Sequence, residues 1–413
     1  MLPSPATSLP RLLARLAAFA AVTVLLVALA SRGIAPERVC PDFIQFWTAA
    51  SLLAEGRDPY DPALQALVQQ GLGWDKARDG FGIYEFLPYY YPPWLALAVV
   101  PLLPLGYCLA KFAWLVLGAE MLLAAGWLLK DTVRGIPGPL ALTVVALFGF
   151  SIRSVAMGQV APLVLLLIAS AWWLLEKRRD FAAGCVLALL TIKPQLTLLL
   201  ILAILGWMAR QRRWGVWRGA AAATVLLVVA STAAFPGWLP SMLEATRVTP
   251  MPTAYYPGLG TTWYVTLGAL GLSGPLLIVA YMSVAVPLIV ALVRAVAREQ
   301  RCLEDIIGLA LIAPFFVVPY ARPYDYPVLL VPALTLMGSR LAGLPRAMLA
   351  GTLLLLPSLH ILRLAADYAT PVVGVRRPEF TYFWIPLLIG LLWLYCPADG
   401  SREEGSAALR NDH

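Results

Sequence analysis

Charge is scarce in this 413-residue sequence: only 13% of its residues are Asp, Glu, Lys or Arg. A soluble globular protein carries about 25%. Without that polar coat, a chain that is 60% apolar with mean hydropathy +0.77 cannot cover a water-facing surface. Intrinsic disorder needs the opposite composition and is excluded too. Histidine is nearly missing, with only His360 and His413 present, so a histidine-built metal site is not expected. The five cysteines (Cys40, Cys108, Cys185, Cys302 and Cys396) stand singly and form neither a CxxC pair nor a disulfide framework. No basic run is long enough to track a phosphate backbone, so no nucleic-acid partner is expected. The net charge of +8 reads instead as Lys and Arg concentrated in cytoplasmic loops.

Long apolar runs are what remains. A spanning helix takes about 20 apolar residues, and a dozen such helices account for the apolar total. The expected architecture is an all-α polytopic membrane protein of about 12 transmembrane helices, embedded in a lipid bilayer with both ends cytoplasmic. Spans are expected near residues 16–30, 107–129, 137–152, 158–175, 180–193, 194–209, 217–235, 274–294, 304–319, 327–338, 345–362 and 381–396. Residues 1–396 then form one membrane domain, and 397–413 a disordered cytoplasmic tail. Ala28-Leu29-Ala30 also mimics a signal-peptidase site, so a cleaved leader is the alternative to an uncleaved first span.

A long first extracytoplasmic loop is expected over about residues 32–106. Within 32–91 lie eight acids (Glu37, Asp42, Glu55, Asp58, Asp61, Asp75, Asp79 and Glu85) against five bases. Phe43–Ala54 and Pro62–Gln70 read there as short amphipathic helices, each opened by an aspartate, Asp42 and Asp61. The run Pro92–Leu105 is short and interrupted by Pro101 and Pro104. Read as re-entrant or interfacial, it lets Lys177-Arg178-Arg179 and Arg210, Arg212 and Arg213 fall inside. Read as a span, it inverts everything downstream.

Ionisable groups within apolar runs are costly and therefore candidates for function. Lys193, in Thr191-Ile192-Lys193-Pro194-Gln195, stands where Pro194 must break a helix between two apolar runs. It is either a fixed ammonium awaiting an anion such as a lipid phosphate, or a lysine reaching to the interface. Lys111 and Glu120 lie in the 107–129 run and read as a snorkelling lysine and an interhelical partner. Asp42, beside the aromatic rings of Phe43, Phe46 and Trp47, is either a helix cap or a carboxylate placed to take a hydroxyl proton. The cluster Tyr84, Phe86, Tyr89, Tyr90, Tyr91 and Trp94 reads as an interfacial belt. Arg153, Gly158-Gln159 and Tyr320-Ala-Arg-Pro-Tyr-Asp-Tyr326 fall in further outer loops, where Arg322 and Asp325 can pair with each other.

These motifs resemble a known family. The stretch Asp42-Phe-Ile-Gln-Phe-Trp-Thr-Ala-Ala, Gly56-Arg-Asp-Pro-Tyr-Asp61, Tyr91-Pro-Pro, Gly158-Gln159, Ala182–Pro194 ending in Lys-Pro, and Tyr324-Asp325 occur in the order seen in glycosyltransferase family 87. That family belongs to the C-type glycosyltransferase superfamily and includes polyprenol-phosphate-mannose-dependent mannosyltransferases. The resemblance implies the C-type fold in a bacterial plasma membrane. It also implies inverting, metal-independent transfer of a hexose, mannose first, from a polyprenyl-phosphate donor to a glycolipid or glycan acceptor at the extracytoplasmic face. No cofactor is implied. Asp42 matches the catalytic aspartate of the first loop and would be the general base. Lys193, Arg322 and Arg153 would bind the donor phosphate, and Asp58, Tyr60, Gln159, Tyr324 and Asp325 would bind substrate. Gln159 is followed by Val-Ala where the family commonly has Asn, a departure that bears on donor or acceptor detail. A transporter or flippase, and a non-catalytic membrane scaffold, are the competing readings; a transporter would be expected to show repeats and mid-membrane charges, and a scaffold would tolerate loss of Asp42.

Overall fold

The computed structural model describes residues 40–75, 85–248, 259–298, 302–369 and 379–396, with side chains of 360–369 excepted. The expected first span and the expected tail lie outside these residues. What is described is helical, with no strand among the described residues. Among the described residues, three stretches are long and apolar enough to cross a membrane: Pro93–Thr132, Trp214–Ala234 and Gly274–Ala297. A fourth arises if two helices bent by 48° at a break, Gly138–Leu147 and Gly149–Ala156, are one span. Shorter apolar helices occupy most of the other hydrophobic runs. Leu109 and Phe112, each 55% exposed, and Leu226, 67% exposed, show the apolar outer faces of a protein with lipid as its solvent. This is a helical membrane protein.

The chain first builds a shelf. Helix α1 (Phe43–Ala54) is buried on nearly every face. Helix α2 (Pro62–Gly71) is amphipathic and opens on Asp61, which accepts from the backbone N–H of Ala63 at 2.8 Å and of Leu64 at 3.2 Å. Gln65 and Gln69 on α2 hold the returning strand-like segment. The Tyr89 N–H donates to Gln65 at 2.9 Å, and Gln69 grips both the N–H and the C=O of Leu87. The run at Pro92–Leu105 then forms α3 (Pro93–Val99) and a 3-10 turn, Val100–Leu105. At helical rises this piece is about 22 Å long, short of the roughly 30 Å hydrocarbon core. It lies against α1, and Gly106, at φ +71°, turns the chain into the long helix α4 (Gly106–Thr132).

Two expected spans are reshaped. The run 137–152 splits at Phe148 into α5 (Gly138–Leu147) and α6 (Gly149–Ala156), and the bend aims Arg153 inward. Gly149 lies on the backbone of Pro357, where a Cβ would collide. The run 327–338 is a 3-10 segment, Pro323–Leu329, followed by helix over Leu330–Thr335 and a π turn over Leu336–Arg340. Pro323, Pro327 and Pro332 each remove a backbone donor. The segment from Asp325 to Gly338 is buried throughout, so it is an interior element with no lipid-facing side.

Between α7 (Ala161–Glu176), α8 (Asp180–Leu189) and α9 (Pro194–Arg210) runs the predicted hinge. Lys193 sits at φ −133°, ψ 69°, between a 3-10 turn and Pro194. The Thr197 hydroxyl satisfies two carbonyls exposed by the break, Leu190 at 2.7 Å and Lys193 at 3.0 Å. Helix α10 (Trp214–Ala234) packs on α8 through Gly184 and Gly219, whose missing side chains bring the two backbones together.

Candidate active site

Asp42 is placed by backbone pairing. Cys40 N–H donates to Ala156 at 2.7 Å and Asp42 N–H to Met157 at 3.0 Å, so the start of α1 lies along the end of α6. Gly158 makes this possible. It adopts φ +72°, and a Cβ there would come within 3.1 Å of Cys40 and 3.3 Å of Phe43. The Trp114 indole donates to the Gly158 carbonyl at 2.9 Å while its ring packs 5.3 Å from Phe43. Gly158 therefore fixes Gln159 beside Asp42.

Although Asp42 opens α1, its side chain caps nothing. Its Oδ2 instead accepts a hydrogen bond from the Gln159 amide. The carboxylate is held above the ordinary range by burial, the largest effect. The Gln159 hydrogen bond and the charges of Arg322, Lys193 and Arg153 oppose that rise. All three expected phosphate-binding cations are thus close enough to act on the expected base.

Those cations are themselves held by acids. Lys193 Nζ meets Asp325 Oδ1 at 2.5 Å, with both side chains buried. Asp325 Oδ2 accepts from the Arg322 backbone N–H at 2.9 Å. The Arg322 side chain turns the other way, to Glu379, through Nη2 to Oε1 at 2.8 Å and Nε to Oε2 at 2.6 Å. Arg153 Nη2 reaches the same Oε1 at 3.0 Å. The expected side-chain pair Arg322–Asp325 is therefore replaced by two pairs with distant partners. Burial alone would raise the Glu379 carboxyl, but Arg322 and Arg153 outweigh it and hold it below its ordinary 4.5. The Tyr324 ring lies 5.2 Å from both the Lys193 ammonium and the Arg322 guanidinium carbon.

Of the expected site residues, Asp42, Gln159, Lys193, Arg153, Arg322, Tyr324 and Asp325 come together. Asp58 and Tyr60 do not join them through any hydrogen bond or ion pair among the described residues. Asp58 accepts from the Tyr60 N–H at 2.9 Å, and the buried Tyr60 hydroxyl donates to the Tyr91 carbonyl at 2.8 Å. They act as struts for Tyr91, which packs edge-on against Phe46 at 5.2 Å. The Tyr91 hydroxyl is pushed up to about 12, chiefly by burial, with Lys193 opposing and Asp325 and Asp42 adding to the rise. A tyrosine expected in an interfacial belt thus faces the charged cluster. Glu379 has no counterpart among the expected residues, since a single acid before the last apolar run carries no motif. Lys111 lies 5.7 Å over the Tyr107 ring, and its charge acts on Cys40, two residues before Asp42.

The cluster joins two buried carboxylates, Asp325 and Glu379, and the half-buried Asp42 to cations fixed in ion pairs. The sequence profile of Glycosyltransferase family 87 matches residues 89–319, more than half of the chain. The chain belongs to glycosyltransferase family 87. No curated protein and no solved structure matches it. The family 87 match contains Tyr91, Arg153, Gln159 and Lys193; the fold adds Asp42, Arg322, Asp325 and Glu379 from outside it. Membership makes the chain a glycosyltransferase, acting on a sugar donor and an acceptor, and weighs against the transporter and scaffold readings.

Proposed function

We propose that this family 87 enzyme transfers a hexose, mannose first, from a polyprenyl-phosphate donor to a hydroxyl of a glycolipid or glycan, at the extracytoplasmic face of a bacterial plasma membrane, within a C-type fold of about twelve spans. The observation that carries the reading is the convergence of Asp42 with Lys193, Arg322 and Arg153. A carboxylate raised in basicity by burial lies within electrostatic reach of three cations, each held in place by an ion pair with Asp325 or Glu379.

In this reading Asp42 takes the proton from the acceptor hydroxyl as its oxygen attacks the anomeric carbon. The new bond forms as the bond from that carbon to the phosphate oxygen breaks, with inversion, and the electron pair leaves on polyprenyl phosphate. One negative charge disappears from Asp42 and one appears on the leaving phosphate, so the cations stabilise the charge where it develops. Lys193 and Arg322 are the expected phosphate ligands with Arg153 beside them. Gln159 orients Asp42, and Tyr324, Tyr91 and Asp325 line the donor side. Asp58 and Tyr60 contribute by holding Tyr91.

The test is transfer from a panel of polyprenyl-phosphate sugars by purified protein in reconstituted membranes, with products identified by mass. Asp42→Asn keeps the shape of the side chain and its bond to Gln159 but removes the base, and is expected to abolish transfer without loss of folded protein. Full activity in that variant rejects the assignment.

A further inference from the structure

Among the described residues, three cations, Lys193, Arg153 and Arg322, share the cluster with three carboxylates, Asp42, Asp325 and Glu379, so these six groups balance before any substrate arrives. Glu379 has the largest share of that compensation, because one carboxylate holds two guanidinium groups from different parts of the chain. It is only 5% exposed. Its segment, the 3-10 helix Glu379–Phe383, is docked on the site by packing. The Tyr326 hydroxyl donates to the Tyr382 carbonyl at 3.0 Å, and the Phe150 ring packs edge-on against both Tyr326 and Tyr382 at 5.2 Å. Phe150 and Arg153 lie one turn apart on α6, so the aromatic packing and the ion pair come from the same helix.

We propose that Glu379 is a positioning residue which, through Arg153 and Arg322, sets how much positive charge reaches Asp42 and the donor phosphate. The inference rests on the reading of Asp42 as base and of the arginines as phosphate ligands. A carboxylate already held by both guanidinium groups leaves them aligned but partly neutralised. An incoming lipid phosphodiester is then bound firmly enough to react, and the phosphate monoester, with one more charge, is not trapped after transfer. Around Asp42 stand Arg322, Lys193, Arg153, Tyr91, Tyr324 and Cys40, and Lys111 on α4 acts on Cys40. Around Glu379 stand Arg153, Arg322, Tyr320 and Tyr326. Among these, Glu379 is the acid that both arginines share.

The test uses the full-length protein in detergent, with farnesyl phosphate binding by titration calorimetry and the pH–rate profile of hexose transfer as readouts. Glu379→Gln keeps an acceptor for the arginines and removes the charge. It is expected to bind farnesyl phosphate about tenfold more tightly, the order of one additional charge-assisted hydrogen bond. It is also expected to move the acid limb of the rate profile, the protonation of Asp42, to lower pH. Arg153→Gln removes a cation and shifts both readouts the opposite way. Glu379→Asp, which keeps the charge, stays near wild type in affinity. A merely structural residue gives weaker binding or less folded protein and no rise in affinity. If Glu379→Gln binds farnesyl phosphate no more tightly than wild type, the inference fails. Should that variant not fold, an Arg153→Gln acid limb that stays in place or moves down overturns it. Asp42→Asn separates the two ideas: if it transfers sugar, the function reading falls, whereas an inactive Asp42→Asn with unmoved Glu379→Gln readouts overturns only the role of Glu379.

Discussion

Replacing Lys193 by Met keeps the length of the side chain and removes its charge. The Lys193 and Asp325 side chains are 3% and 2% exposed, and their charged atoms meet at 2.5 Å. Taking one partner from such a pair strands the other charge away from water, at a cost of about 3–5 kcal/mol. Asp325 would retain the Arg322 N–H at 2.9 Å, so a loss near the lower end, about 3 kcal/mol, is expected. Converting Asp325 to Asn in the same protein removes the stranded charge. The double variant Lys193→Met/Asp325→Asn should therefore recover stability to within about 1 kcal/mol of wild type. It should still fail to transfer sugar, because no ammonium remains to meet the donor phosphate. Denaturant unfolding of the detergent-solubilised protein, followed by tryptophan fluorescence, measures the first effect, and transfer from polyprenyl-phosphate hexose the second. A single variant as stable as wild type would refute the argument about the buried pair. A double variant with wild-type turnover would refute the assignment of Lys193 to phosphate.

Two further outcomes rest on the same physics. Gln159→Leu removes the hydrogen bond that pulls the Asp42 carboxyl down, so the group rises further above its ordinary 3.8; since the base works only when deprotonated, activity is lost earlier as pH falls, and an acid limb that stays put counts against Gln159. Gly184→Ala places a Cβ against the Val216 carbonyl on α10 and should destabilise the protein by about 1–3 kcal/mol, with donor KM unchanged in the folded fraction because this packing involves no residue of the site.

Asp42 and Asp61 show how far the sequence can be read. Each stands immediately before a short helix, and the local pattern offers both as caps. Only Asp61 caps, through Ala63 and Leu64; Asp42 is taken by Gln159, 117 residues away. The Lys-Pro break is legible because proline lacks the backbone N–H and its ring keeps the residue before it out of the helical region. The acid that meets that ammonium lies 132 residues on and has no spacing rule to mark it. Arg322 and Asp325 read as a pair because they are neighbours in one loop. In the fold their side chains part, one to Glu379 and one to Lys193.

Composition and apolar run length determined that this chain is a helical membrane protein, because so little charge cannot coat a water-facing surface and long continuous apolar runs satisfy their backbone hydrogen bonds in lipid as helices. The motifs around Gly158-Gln159 and Lys193-Pro194 determined where helices end and which polar groups are left at those ends. Tertiary structure decided the partners: which carboxylate caps and which waits, which acid neutralises which cation, and that Glu379 joins two arginines 226 and 57 residues away. Hydropathy and propensity act over a few turns of chain. Ion pairs are chosen by distance in space, and only the packed helices set that distance.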